Sequence, residues 1–372
     1  MLSTIALDTQ VLRPGLCTGC GACQGLCPYW GSVDGRTVCF FDCERLDGRC
    51  QRFCPRMPTD LDALRKQFFS EETVFPEIGP FRGLYLTRAA DASIRAGAQH
   101  GGSMTALVEL ALQEGFIDAA VLTRSQGGLG PEGVLAVNSE EVRACSGSSF
   151  QVPPTLAVLN QALRENKFHS IGVVGTPCKT LAVYKMRANP LPENDNHAGN
   201  TGMVFGLFCG WGLDWDGLNA LAAAHANPEN VSHMDIPPSK YHSLELREDG
   251  KTVSVNLDEV TPLVRSGCRY CADMTAEFAD LSIGGARSAD GWDVDKGWNQ
   301  IIVRSEKGQK LLELAREKGV LEFKEAMEGG LDKLKKASLG KKRTAVKNLQ
   351  ALTGKTDDLG YLNPSKDWFQ DL

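Results

Sequence analysis

Cysteine is the residue type that dominates the possible chemistry of this chain, with 13 cysteines among 372 residues. Eight of them lie between residues 17 and 54, and the first four follow the run Cys-x2-Cys-x2-Cys-x3-Cys-Pro that ends at Pro28. This spacing is typical of bacterial ferredoxins, in which three thiolates of a run bind one [4Fe–4S] cluster and the fourth binds the neighbouring cluster. Gly19 and Gly21 permit the tight loop that such a run needs.

The other four cysteines of this block form a less regular copy that still ends in Cys-x3-Cys-Pro, at residues 50–55. Exchanging the last ligand between the two halves gives each of two clusters four thiolates. The first predicted set is Cys17, Cys20, Cys23 and Cys54, and the second is Cys27, Cys39, Cys43 and Cys50. A pair of zinc sites is the alternative, but zinc favours two separated Cys-x2-Cys pairs, which this run does not offer.

The five remaining cysteines are scattered over residues 145–271. Cys178 and Cys209 each follow a segment predicted to be a buried strand, and Cys268-x2-Cys271 is a pair in a predicted loop. Because α/β proteins bring the carboxyl ends of their strands to one edge, these four thiolates could converge on a third cluster. The alternative is that they are small buried hydrophobes, the usual state of an isolated cysteine. We assign that role to Cys145, which has no partner.

The composition is that of a folded globular protein, with 42% hydrophobic residues and 40 basic against 46 acidic side chains. A net charge of −6 gives no general case for nucleic-acid or membrane binding. No run of about 18 apolar residues predicts a membrane span, and residues 1–13 lack the pattern of a signal peptide. We therefore expect a cytoplasmic protein, in whose reducing surroundings closely spaced cysteines bind metal.

Alternating strand and helix patterns after residue 82 predict an α/β core with a mixed sheet. The predicted strands cover residues 83–87, 117–122, 170–175, 203–209, 243–247, 252–256 and 301–304. One predicted helix ends at Gly115 and another runs from Gln309 to Lys318. Residues 333–347 contain seven basic residues and no acidic one. Two interpretations of this stretch stay open: a solvated face or tail, and a docking surface for an acidic partner.

With these segments in order, the chain resembles the family of coenzyme F420 hydrogenase/dehydrogenase beta subunits. The resemblance covers roughly residues 83–320, with the ferredoxin-type block as an N-terminal attachment. The matching segments are Gly101 to Gly115, Ile117 to Val121, Ile171 to Cys178, Phe205 to Cys209, Gly267 to Cys271, Ala279 to Gly284 and Val303 to Gly308.

The resemblance implies a noncovalent FAD and an inner [4Fe–4S] cluster. The cysteines that match the family's inner-cluster positions are Cys178, Cys209, Cys268 and Cys271. The residues implied in FAD binding are Gly101, Gly102, Ser103 and Thr105, with Gly175 and Thr176 as a second backbone contact. The first four stand at a predicted helix N-terminus, whose N–H groups and dipole suit a pyrophosphate. The alternative is that these glycines only permit a tight strand–helix turn.

Together these features predict four regions. They are a ferredoxin-like domain with two clusters at residues 1–58, a connector at 59–82, a flavin-binding core with the inner cluster at 83–325, and a basic extension at 326–372. Because Pro76, Gly79 and Pro80 give the connector the break signals of a linker, we expect the core from Gly83 onward to fold by itself.

The function implied by the resemblance is that of an oxidoreductase subunit in a multi-subunit redox complex. It would move electrons through FAD between a two-electron carrier, coenzyme F420 or ferredoxin or a similar carrier, and the iron–sulfur centres of a partner. The chemistry belongs to FAD, so no catalytic side chain is assigned. The alternative is an electron relay without a soluble substrate, which couples a formate dehydrogenase or hydrogenase to a heterodisulfide-reductase-like or ferredoxin-using module. Ser149 stands where the family commonly carries a basic residue before an aromatic one, which leaves the two-electron partner open.

Overall fold

The structure, a computed structural model, describes residues 1–126, 129–189, 196–237, 242–286, 297–325 and 329–363. The N-terminal block consists of α1 (Ser3–Leu7), a π-helical turn (Asp8–Leu12), the hairpin strands β1 (Trp30–Val33) and β2 (Arg36–Cys39), and α2 (Arg49–Phe53). The segment that follows contains β3 (Thr59–Asp60), α3 (Leu61–Phe68), β4 (Thr73–Phe75) and β5 (Gly79–Phe81).

The core that follows alternates strands and helices. Its strands are β6 (Gly83–Ala89), β7 (Ala119–Gln126), β8 (Leu129–Ala136), β9 (Ile171–Gly175), β10 (Thr201–Leu207), β11 (Val231–Asp235), β12 (Ser243–Glu248), β13 (Lys251–Asn256), β14 (Leu281–Gly285), β15 (Asn299–Val303) and β16 (Leu321–Lys324). The helices are α4 (Ala92–Gly97), α5 (Ser103–Gln113), α6 (Ser139–Arg143), α7 (Thr155–Glu165), α8 (Pro177–Ala188), α9 (Trp215–His225), α10 (Leu257–Val260) and α11 (Glu306–Glu317). The chain continues through α12 (Gly330–Thr353) to β17 (Leu362–Asn363). None of the helices in the described ranges combines the length and apolar character that a membrane span requires.

Eight strands form the central sheet, in the order β16-β6-β15-β14-β10-β9-β7-β8. The neighbours β14, β10, β9 and β7 are parallel, and antiparallel strands flank them on both sides. Ile171, Gly172 and Val173 of β9 are all buried, as expected for a parallel strand that is covered on both faces. A separate three-stranded sheet has the order β11-β12-β13. The prediction of an α/β core with a mixed sheet is confirmed.

The predicted strands all appear, with shifts of a few residues at their ends. One shift affects a predicted ligand: the strand predicted to end at Cys209 ends at Leu207, so Cys209 lies two residues beyond β10. The sequence did not predict β8, whose two glycines and one proline are typical of a loop. It pairs with β7 as an antiparallel edge strand, the position in a sheet that tolerates proline.

The N-terminal block and the core share one hydrophobic cluster. Leu7 and Phe53 of the block belong to the same buried cluster as Leu64 of α3 and Leu156 and Val183 of the core. The shared cluster weighs against independent folding of the core from Gly83 onward, although a second buried cluster, which includes Leu107, lies wholly within that core. Residues 59–81 are a packed part of the molecule and not a free linker, although the four region boundaries remain a prediction.

The basic stretch at 333–347 lies on α12, and only part of its surface faces solvent. Lys342 is 1% exposed and forms an ion pair with the buried Glu277. Leu334 and Leu349 on the same helix are fully buried. The stretch is therefore not a solvated tail, because one side of this helix packs against the core, and a solvated face remains on its exposed side. Residues 326–328 and 364–372 of the predicted extension lie outside the described residues.

Gly21 is a point where the ferredoxin-type loop packs closely against the core. Its φ is +85°, and a Cβ there would lie 2.5 Å from the Pro154 carbonyl oxygen. We expect Gly21→Ala to lower the apparent Tm more than Gly115→Ala does. Gly115 shares the positive φ, at +71°, but has no neighbouring atom within 4 Å of the added Cβ. Both variants place an alanine at a positive φ, which costs about 1 kcal/mol or more. If thermal unfolding shows the same decrease in Tm for both, the contact between residue 21 and the Pro154 carbonyl is not tight.

Candidate metal and cofactor site

The first predicted cysteine set comes together where the loop after α1 meets the end of α2. Burial raises the pKa of Cys20, and repulsion from Cys178, Cys54 and Cys17 raises it further. Because such repulsion falls off with distance, it identifies these thiols as neighbours. Backbone N–H groups of Gly19 and Arg56 donate to Cys17 Sγ and Cys54 Sγ, each at 3.4 Å. Hydrogen bonds of this kind are one of the means by which a protein tunes iron–sulfur sites.

The second predicted set lies closer to the molecular surface. Burial raises the pKa of Cys50 to about 11, with contributions from Cys27 and Cys43. Burial also raises the pKa of Cys39, to which Cys27 contributes. All three partners of Cys50 in this set are half-buried rather than buried. The two aromatic side chains that follow Cys39 are 52% and 66% exposed.

The third set, which bare spacing left open, also converges. Burial raises the pKa of Cys209 to about 12, and Cys268, Cys178 and Cys271 add repulsion. Cys178 is the second residue of α8. Cys268 lies in the 3-10 turn Ser266–Tyr270, and its Sγ accepts a hydrogen bond of 3.3 Å from the N–H of Gly212. The four cysteines therefore meet although up to 93 residues separate them along the chain.

The three sets form a row. Besides burial, the largest contribution to the raised pKa of Cys20 comes from Cys178 of the third set. Cys50 of the second set contributes in the same way to the raised pKa of Cys23. The first set is therefore the middle one, with the third on its core side and the second toward the surface.

This donor set fits iron–sulfur clusters better than single ions. No three His, Cys, Asp or Glu side chains in the described part of the chain converge on a point that one ion could occupy. In a [4Fe–4S] cluster each thiolate binds a different iron, so four ligands surround a volume instead of a point. A bound cation would stabilise the deprotonated form that ligation requires, against the burial that raises the pKa of Cys20 and Cys209.

Two buried cations that the sequence did not single out stand beside the first set, and Arg56 lies at its boundary with the third set. Arg56 donates to the carbonyl oxygens of Gly267 (3.0 Å) and Tyr270 (3.3 Å) and so ties the Cys54 segment to the third set. Lys185 donates to the Cys54 carbonyl oxygen at 2.7 Å, and burial lowers its pKa to about 8. The sequence offers one indication of such a role, which is closeness to a predicted cysteine ligand. Arg56 lies two residues after Cys54, whereas Lys185 has no such neighbour.

Lys179 adds a third buried cation at the same boundary. Its Nζ donates to Thr155 Oγ1 at 2.7 Å. Burial lowers the pKa of Lys179, while Cys178 and Cys20 act in the opposite direction. Because it faces one cysteine from each set, it reduces the repulsion between two neighbouring anionic sites.

The predicted flavin loop follows α4 and leads into the start of α5. Ser103 is fully buried, its N–H donates to Asn299 Oδ1 (3.1 Å), and its hydroxyl bonds Thr87 Oγ1 (2.8 Å). A Cβ on Gly101 would lie 2.7 Å from Asn299 Oδ1. Ser103 and Asn299 therefore shape the loop, and the other N–H groups at the start of α5 have no partner within the helix. Thr105 is half-buried, with its hydroxyl 3.4 Å from Ser146 Oγ.

Gly175 and Thr176 lie at the same edge of the sheet but not beside the α5 start. They follow β9, which runs in the same direction as β6 because two antiparallel steps separate β6 from the parallel strands. Four strand spacings at about 4.8 Å separate β9 from β6 by about 19 Å. The six residues are thus two anchor points on one edge, which suits an extended ligand. Thr176 Oγ1 lies 3.4 Å from Cys178 Sγ, so the second anchor adjoins the third cysteine set.

Two further predicted positions stand apart from the cysteine sets. Ser149 is half-buried and its hydroxyl is 3.5 Å from the Gln151 carbonyl oxygen, while the next residue, Phe150, packs against Trp211. Cys145 is half-buried just after α6, and burial raises its pKa to about 11. Its Sγ bonds the Glu141 carbonyl oxygen at 3.3 Å, so Cys145 does not join any of the three sets.

Comparison with known proteins assigns the fold and the family. The description "Coenzyme F420 hydrogenase/dehydrogenase, beta subunit" matches in two parts, the N-terminal part over residues 84–160 and the C-terminal part over residues 168–329. The chain therefore belongs to the family of coenzyme F420 hydrogenase/dehydrogenase beta subunits, as the sequence predicted.

Among individual relatives, the chain is 31% identical to the beta subunit of coenzyme F420 hydrogenase from Methanothermobacter thermautotrophicus, over 74% of this chain and 96% of that protein. It is 26% identical to one of the subunits of F(420)H(2) dehydrogenase from Methanosarcina mazei, over 87% of this chain and 88% of that protein. It also superposes with a TM-score of 0.67 and 26% identity on a chain of the F420-reducing [NiFe] hydrogenase complex from Methanosarcina barkeri, covering 76% of this chain and 97% of that one.

Proposed function

We propose that this protein is the flavin-bearing electron-transfer subunit of an F420-linked redox complex and holds FAD and three [4Fe–4S] clusters. The observation that carries the proposal is the row of three cysteine sets, whose core end adjoins the sheet edge where α5 and α8 begin. When bound, FAD would exchange a hydride with a two-electron carrier, and the clusters would carry single electrons. The relatives' names supply coenzyme F420 as that carrier.

Different parts of the chain would contribute flavin binding, charge compensation and access for a partner. The start of α5 offers backbone N–H groups and a positive dipole end for a pyrophosphate. Lys179 and Arg56 place positive charge between the first and third sets, where two anionic clusters would otherwise repel, and Lys185 places it beside the first set. The half-buried second set gives the row an end near solvent, where a partner's redox centre could approach.

Reduction of the bound flavin by F420H2 tests the proposal directly. We expect anaerobically purified, FAD-loaded protein to lose its flavin absorbance on addition of F420H2, and not on addition of NADH, which serves as the control donor. Retention of the oxidised flavin spectrum with F420H2, in protein that demonstrably contains FAD, would contradict an F420-specific subunit.

That outcome would favour the second candidate, an electron relay without its own soluble substrate. Ser149 gives this candidate specific support, because it is a neutral residue at the position where the family commonly carries a positive charge. Such a relay would couple a formate dehydrogenase or hydrogenase to a heterodisulfide-reductase-like or ferredoxin-using module. In that case the flavin of the isolated chain stays oxidised with F420H2 and becomes reduced only when a partner complex is supplied.

A further inference from the structure

Lys341 on α12 is directed at the third cysteine set. Its Nζ donates to the carbonyl oxygen of Cys209 at 2.6 Å and to that of Asp273 at 2.9 Å. Asp273 follows Cys271 by two residues, and Cys271 Sγ in turn lies 3.4 Å from the Asp273 carbonyl oxygen. One ammonium group therefore links the two chain segments that carry three of the four cysteines of this set.

This contact comes from outside the family match. The matched C-terminal region ends at residue 329, and α12 begins at Gly330. A second residue of the helix, Asn348, donates to the Arg269 carbonyl oxygen at 2.7 Å. Tyr361, after the helix, donates to the Tyr270 carbonyl oxygen at 2.7 Å. The C-terminal segment therefore closes over the loop that carries Cys268 and Cys271.

Residues other than Lys341 also hold α12 against the core. Lys342 pairs with the buried Glu277, and Leu334 and Leu349 are fully buried on the same helix. A positive charge at Lys341 is thus available for a role other than attachment of the helix. Its position beside Cys209 and Cys271 also places it where charge acts most strongly on an anionic centre.

We propose that Lys341 is a positioning residue of the inner cluster, which fixes its two ligand segments and raises its reduction potential by placing a fixed positive charge beside it. The inference rests on the proposed function, because it requires a cluster at the third set. A nearby cation stabilises the reduced, more negative state of a cluster more than the oxidised state, so its removal disfavours reduction.

The test compares full-length variants purified anaerobically. Lys341→Met removes the charge at similar length, Lys341→Arg retains it, and Lys341→Gln keeps a hydrogen-bond donor without the charge. Lys347→Met is the matched control, since Lys347 is an exposed lysine on the same helix. The inner cluster's signal is identified by its loss in Cys268→Ala, and its midpoint potential is measured by redox titration followed by electron paramagnetic resonance.

We expect Lys341→Met to make reduction of the inner cluster about tenfold less favourable, equal to a shift of about 59 mV for one electron. Lys341→Arg and Lys347→Met should keep the wild-type potential. If Lys341→Met instead loses the inner iron while Lys341→Gln retains it, the positioning role is supported and the potential is read in Lys341→Gln.

An unchanged potential in charge-free protein that still holds the cluster would overturn the inference and leave the proposed function intact. Loss of the inner iron in Lys341→Arg as well as in Lys341→Met would also overturn it, because charge and donor would then be irrelevant. Wild-type protein without any third cluster would instead refute the proposed function.

Discussion

Replacing Cys268 with alanine is expected to lower the iron content from about 12 to about eight atoms per chain. The physical reason is that this cysteine is one of four thiols brought together from distant segments, and its Sγ is held in place by the N–H of Gly212. With one thiolate missing, one iron of the cluster lacks its protein ligand and the cluster becomes unstable. The eight N-terminal cysteines already supply two complete sets and should keep theirs.

The same variant separates the two halves of the proposed reaction. Reduction of the flavin by a two-electron donor should survive, whereas delivery of electrons to a viologen should fall to near background. Iron and acid-labile sulfide analysis, flavin bleaching and viologen reduction can be measured on one sample. Cys145→Ala is the matched control and should keep about 12 iron atoms, because Cys145 lies outside all three sets. Equal iron content and equal viologen reduction in Cys268→Ala and wild type would show that Cys268 is only a small buried residue.

Removal of residues 1–82 is expected to abolish folding of the rest of the chain. The shortened chain would expose Leu156 and Val183, which pack in the cluster shared with the N-terminal block. Each fully buried apolar side chain contributes about 1.5–3 kcal/mol, and a whole domain is stable by only about 5–15 kcal/mol. Arg304 would also lose the carbonyl oxygens of Ile78 (2.6 Å) and Pro80 (2.7 Å), which accept from its buried guanidinium.

Size-exclusion chromatography and circular dichroism would measure the outcome of this truncation. We expect aggregated or unfolded protein when the chain starts at Gly83. A chain that starts at Ser3 is the control, because it lacks only Met1, which is 71% exposed, and the half-buried Leu2. A soluble chain from Gly83 with a cooperative thermal transition would show that the shared cluster is dispensable.

The two N-terminal cysteine sets could be predicted because the prediction depends only on the short-range spacing of the cysteines. Three cysteines, each three residues after the one before, with positive φ at Gly19 and Gly21, describe a loop whose shape depends on few distant contacts. The mixed sheet was predictable for a related reason, since the apolar patterns of its strands follow from their burial. β8 was not predicted, because an edge strand of a hairpin is held by hydrogen bonds to one neighbouring strand and does not require a characteristic apolar pattern.

The third set shows where sequence alone was insufficient. Spacing identified Cys268 and Cys271 as a pair but could not say whether Cys178 and Cys209 would join them, because that depends on which strands lie side by side. The adjacency of β9 and β10 in the sheet decides it. Resemblance to the family anticipated the result, and the fold supplies its cause.

The sequence by itself determined the fold class and predicted the cysteine ligands and the two N-terminal sets, because each depends on local spacing or on the period of apolar residues. Only the tertiary structure decided the order of the three sets, the core shared by the N-terminal block and the sheet, and the place of Lys341 beside the third set. These are contacts between segments up to hundreds of residues apart. No local pattern encodes them, since they arise from the packing of complete elements whose faces are matched only after each has formed.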